Sequence, residues 1–112
     1  MSELTFREFQ LMNQLRCEEA FGHAVAFDNE TWPLQNWALA IAGEAGELAN
    51  VVKKVLRGDH TVAEAREDIL REAADVMTYC DLLITSLYAD TGETVMAKFR
   101  EVSKRIEWEM NS

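Results

Sequence analysis

Two carboxylate pairs constrain this 112-residue chain more than any other feature. Residues 43–75 read GEAGELANVVKKVLRGDHTVAEAREDILREAAD. Glu44 and Glu47 form an ExxE pair and Glu72 and Asp75 an ExxD pair, with 24 residues between the two. Residues three apart on a helix share a face, so each pair aims two carboxylates the same way. Trp37, Ala40, Ile41, Leu48 and Val51 continue the first face, and Ile69, Val76, Tyr79 and Leu83 the second. Both faces are apolar, which predicts that each packs against other helices. A turn at Gly58-Asp59-His60 makes the two helices antiparallel and lets the pairs meet. Four carboxylates that meet where water is scarce repel one another unless a cation compensates them. A hard cation with oxygen ligands suits such a set, and Mg²⁺, with Mn²⁺ as a substitute, is the expected ion.

The rest of the chain reads as helix. Thr5-Phe6-Arg7-Glu8 fits a capping box that opens a first helix, and Phe6, Phe9, Leu11, Met12, Leu15 and Cys17 give it a broad apolar pattern to about Phe21. Gly22 ends it, and 22–32 reads as a loop in which His23 is expected to be exposed or hydrogen-bonded. Pro33 suits a first turn, and the second helix runs to Arg57 with Gly58 as its stop. Residues 34–42 are apolar around most of the circumference, so this helix needs neighbours on several sides. Thr61–Glu64 is a second capping box, opening a helix to about Ala89 with Ile69, Ala73, Val76, Met77, Cys80, Leu83, Ile84 and Leu87 on its buried side. Asp90-Thr91-Gly92-Glu93 caps a last helix that continues to about Met110, with Val95, Met96, Phe99, Val102, Ile106 and Trp108 at its apolar positions. Four helices with short connections predict an all-α, four-helix bundle-like single domain over 1–112, completed by oligomerisation as a homodimer or homotetramer.

Composition narrows the partners. One proline and five glycines leave little room for the turns of an all-β fold. A net charge of −9 argues against nucleic acid as a partner, which asks for a basic surface. It sits awkwardly with an anionic substrate as well, unless part of the charge belongs to a cation site. Cys17 and Cys80 show no metal-ligand spacing, in keeping with small core residues in the reducing cytoplasm. The N-terminal MSELTFREFQ lacks the basic and apolar regions of a signal peptide, and the longest uncharged run, 31–43, is too short to span a bilayer. A soluble cytoplasmic protein without membrane contact is expected.

Gly43-Glu44-Ala45-Gly46-Glu47-Leu48, followed by Glu72-Ala73-Ala74-Asp75-Val76, resembles the MazG-type all-α nucleoside triphosphate pyrophosphohydrolases. The resemblance extends from about Trp32 to Arg105 and includes the run 98–105, KFREVSKR. It implies cleavage between the α- and β-phosphates of a nucleoside triphosphate to the monophosphate and pyrophosphate, with deoxynucleotides favoured and the nucleotide pool as the setting. Glu44, Glu47, Glu72 and Asp75 are then the metal-binding and catalytic set. Lys98 and Arg105, seven apart on one face, are the candidate phosphate contacts, with Lys54 in reserve; Lys53, Lys54 and Arg57 also suit the dipole at a helix end. Phe27, Trp32 and Trp37 cluster before the ExxE pair, and Tyr79 lies one turn beyond Asp75; they suit either a core or a base-stacking platform.

Other readings make different demands. A di-iron bundle needs Glu-x-x-His pairs, yet Ala20 and Arg57 stand three residues before His23 and His60. The P-loop motif is absent. A helical nucleotide-binding or interaction protein without turnover stays open beside the hydrolase.

Overall fold

The computed structural model describes residues 3–22, 24–25 and 32–109. It is all-α and bundle-like: α1 spans Phe6–Phe21, α2 Leu34–Leu56, α3 Val62–Ser86 and α4 Thr91–Arg105. No helix among the described residues is long and apolar enough to cross a membrane.

Local chemistry sets most of the boundaries. The Thr5 hydroxyl accepts from the Glu8 N–H at 3.0 Å, and Gly22 closes α1 in the left-handed conformation at φ 72°. Thr61 and Glu64 form a complete capping box, each side chain accepting from the other's backbone N–H at 3.2 and 2.9 Å. Asp90 caps α4 by accepting from the Glu93 N–H at 2.8 Å. Between α2 and α3, Gly58 takes φ 88°, where an L side chain is strained, and turns the chain back on itself. Thr61→Ala removes one half of the box and is expected to lower the melting temperature by roughly 5 °C in a thermal scan.

Two helix ends fall short of the sequence expectation. α3 stops at Ser86 rather than near Ala89, and α4 at Arg105 rather than near Met110. Tyr88 and Glu107 adopt positive φ, 61° and 57°, which breaks each helix without the glycine that normally marks such a stop. The early end of α3 has a tertiary cause. Gln10 of α1 donates to the Ala89 carbonyl at 2.8 Å and accepts from the Thr91 N–H at 3.1 Å, so one side chain holds the joint between α3 and α4.

The faces differ from expectation too. α1 turns Gln10, Asn13 and Cys17 inward and leaves Leu11, Met12 and Leu15 exposed. Met77 on α3 and Leu87 just beyond its end are exposed, and the buried positions of α3 are Ala65, Asp81, Leu82, Thr85 and Ser86. These inward polar groups satisfy one another. Asn13 Nδ2 donates to Asp81 Oδ2 at 2.9 Å and to the Thr78 carbonyl at 3.0 Å. The Thr91 hydroxyl donates to Asp81 Oδ1 at 2.5 Å, and Gln10 Nε2 to Thr85 Oγ1 at 2.9 Å.

Among the described helices, the α2 backbone approaches only α3, while α4 rests on α1 and α3. Cys17, Val25, Trp37 and Leu82 form the core cluster, flanked by Trp32, Tyr79 and Leu83. The radius of gyration is 16.8 Å, against about 13 Å for a compact chain of this length. α2 thus has fewer neighbours than its apolar circumference asks for, and Leu39 and Leu56 on it are exposed.

Candidate metal centre and adjoining cleft

The α2–α3 hairpin brings the two carboxylate pairs together. Glu44 from α2 and Glu72 and Asp75 from α3 each present an oxygen within 4.8 Å of the other two. Glu44 and Glu72 are half-buried, and Oε2 of each is shielded from solvent without a hydrogen-bond partner. Burial is the first cause that lifts the Glu44 pKa above the usual glutamate range, followed by the charges of Glu47, Asp75 and Glu72. Glu72 is lifted as well, by desolvation first, then by the nearness of the Glu47 and Asp75 carboxylates, with Arg71 opposing. Glu47 therefore stands beside Glu44 and Glu72, although it is exposed and outside the three-oxygen cluster.

This arrangement fits a hard divalent cation. The donors are all carboxylate oxygens, and two of them are buried with nothing to pair with, an expensive state that a cation relieves. Among the described residues the cluster holds carboxylates and neither thiolate nor imidazole, a set that favours Mg²⁺ or Mn²⁺ over softer ions.

Asp75 also borders a cleft of about 500 Å³ between α1 and the hairpin. Trp32, Trp37 and Tyr79, three of the four aromatics expected at a base platform, line it. The two indoles lie 5.5 Å apart at 59°, and Trp37 is 2% exposed with its Nε1–H lacking an acceptor. Phe27 and His23 lie outside the described residues. None of the candidate phosphate contacts lines this cleft. Lys98 and Arg105 ride on α4, which does not approach α2, and Lys98 Nζ instead pairs with Glu101 at 3.1 Å. Lys54 is exposed near the end of α2.

The cation that does line the cleft is Arg16 of α1. Its position in the sequence gives little warning, because no spacing ties α1 to the carboxylates. The one trace is the polar i, i+3 pair Gln10 and Asn13 leading to Cys17, which marks the inward side of α1 next to Arg16.

No protein-family model matches the chain, and no solved structure does. The Gene 37 protein of Mycobacterium phage L5 is 45% identical over 51 residues, which is 44% of this chain and 45% of that protein. The matched region is thus less than half of that relative, and its name states no activity.

Proposed function

We propose that this protein is a Mg²⁺-dependent hydrolase that converts a nucleoside or deoxynucleoside triphosphate to the monophosphate and pyrophosphate. One observation carries the reading: three carboxylates from facing helices converge within 4.8 Å beside an aromatic cleft. The MazG-type resemblance of 43–48 and 72–76 supplies the reaction class. Glu44, Glu72 and Asp75 would hold the ion, which when bound would neutralise phosphate charge in the transition state. The base would lie against Trp32, Trp37 and Tyr79. In the reaction a water oxygen bonds to the α-phosphorus while the bond to the αβ-bridging oxygen breaks and pyrophosphate leaves. The water proton passes to a carboxylate, and Glu47, exposed and outside the three-oxygen cluster, has room to accept it. Two free thiols are in keeping with work in the reducing cytoplasm, on the nucleotide pool.

Incubation of the protein with a panel of nucleotides and Mg²⁺, followed by ³¹P NMR, tests the assignment. Pyrophosphate and a nucleoside monophosphate are expected from at least one triphosphate. Release of orthophosphate alone, or no turnover with any nucleotide, would reject it. A nucleotide-binding protein without turnover is the second reading, favoured by the placing of Lys98 and Arg105 on α4, away from the cleft. It predicts binding without products.

The active species is further proposed to be a homodimer or homotetramer. Leu11, Met12 and Leu15 on α1, Leu39 on α2 and Phe99 on α4 are all exposed, and the single chain is open for its length. Sedimentation equilibrium at micromolar concentration should give a multiple of 12.8 kDa; a stable monomer would contradict this.

A further inference from the structure

We propose that Arg16 is a substrate-binding residue that takes the phosphate chain of a nucleotide whose base occupies the aromatic cleft, an inference that rests on the function proposed above. α1 runs antiparallel to α3. Gln10 bonds to Thr85 and Ala89, and Asn13, one turn on, to Asp81 and the Thr78 carbonyl. The next turn of α1 therefore carries Arg16 to the level of Thr78 and Asp75, at the carboxylate end of the cleft. Arg16 and Asp75 both line that cleft. Arg16 has no ion-pair or hydrogen-bond partner among the described residues; Arg66, Arg100 and Arg105 share that state, but of these four only Arg16 lines the cleft. An unpaired guanidinium facing a cleft in a chain of net charge −9 offers a bidentate donor where an anion must arrive.

A second feature points to a ligand in the same space. Trp37 lines the cleft, is 2% exposed, and keeps a buried indole N–H without an acceptor. A buried donor left unpaired is costly, and here it belongs to a side chain that borders the space a planar ligand would fill. The cleft thus combines aromatic side chains for a planar heterocycle, a guanidinium for its phosphate, and a carboxylate beyond. That sequence of groups selects a nucleotide over a nucleoside and over inorganic phosphate.

Quenching of tryptophan fluorescence in the 112-residue chain measures this without turnover, since two of the three tryptophans line the cleft. The probes are the four deoxynucleoside monophosphates and the four matching nucleosides. Wild type should bind at least one monophosphate more tightly than its nucleoside. Arg16→Gln should weaken the monophosphate by roughly tenfold or more while leaving the nucleoside within about twofold, and Arg16→Lys should recover part of the loss. Arg16 is exposed, so circular dichroism of each variant should match wild type. Equal losses for nucleoside and monophosphate, or none for either, would overturn the role of Arg16. If Arg16→Gln binds as wild type does and pyrophosphate release persists, Arg16 alone is misassigned. If wild type binds no nucleotide and releases no pyrophosphate, the proposed function falls with it.

Discussion

Glu72→Gln is expected to reduce pyrophosphate release by roughly a hundredfold or more, since even partners outside the ligand set of metal sites typically cost 10–100-fold when removed. It should do so without weakening the metal-free fold. Glu72 stands in a cluster where Glu47 and Asp75 repel it and where one of its oxygens is buried and unpaired. Neutralising it removes repulsion, so the variant should melt at or above the wild-type temperature in the absence of metal. Mg²⁺ at a hundredfold excess over its dissociation constant stabilises a folded protein by about 2.7 kcal/mol. For a domain of this size that is a rise of roughly 10 °C. Most of this rise should vanish in Glu72→Gln, and in Glu44→Gln and Asp75→Asn. A magnesium response unchanged by all three substitutions would place the ion elsewhere.

The same cluster sets a pH dependence with a definite sign. Glu44 and Glu72 hold their protons to higher pH in the folded chain than the ordinary glutamate value of 4.5. Their contribution to stability is therefore fully present below that value and lost as pH rises through the raised folded values. Without metal, the stability advantage of Glu72→Gln over wild type should be present at pH 7 and shrink as pH falls toward 4.5. The magnesium-induced rise should run the other way and grow from acid to neutral pH, because the ion must displace those protons. Thermal melts across this range, with and without Mg²⁺, read both trends; a magnesium response flat with pH would contradict them.

Asp81→Ala is expected to be the most damaging single substitution away from the site. The Asp81 carboxylate is 2% exposed and accepts from Asn13 of α1 and from Thr91 at the start of α4. Its loss strands two buried donors and uncouples α1, α3 and α4 at one point. Hydrogen bonds to a charged group are worth about 1.5–3 kcal/mol each, so a loss of about 3 kcal/mol, or more than roughly 10 °C in melting temperature, is expected. Asp81→Asn keeps an acceptor at the same place and should recover part of it. A melting temperature within a few degrees of wild type for Asp81→Ala would show that the network is dispensable.

The sequence by itself determined the elements and the hairpin. Thr5, Thr61 and Asp90 are local caps whose partners lie three residues away, and Gly22 and Gly58 supply the positive φ that only glycine adopts freely. Such signals act within one turn and need no knowledge of the fold. The convergence of Glu44 with Glu72 and Asp75 was legible for a related reason: i, i+3 spacing fixes a face, and one tight turn leaves two helices little choice but to lie side by side.

Tertiary structure alone decided which side of α1 turns inward. Composition favours Leu11, Met12 and Leu15, yet Gln10 and Asn13 are buried, because Asp81, Thr85 and the Ala89 carbonyl lie where those amides can reach them. A buried polar group is tolerable only when its partner is in place, and these partners are 68 to 79 residues away in sequence. The same long-range contact set the end of α3 through Gln10, and it swung Arg16 rather than Lys98 or Arg105 to the cleft. Apolar periodicity records how much surface a helix wants to bury, whereas the choice of face follows from hydrogen bonds that exist only once the helices have met.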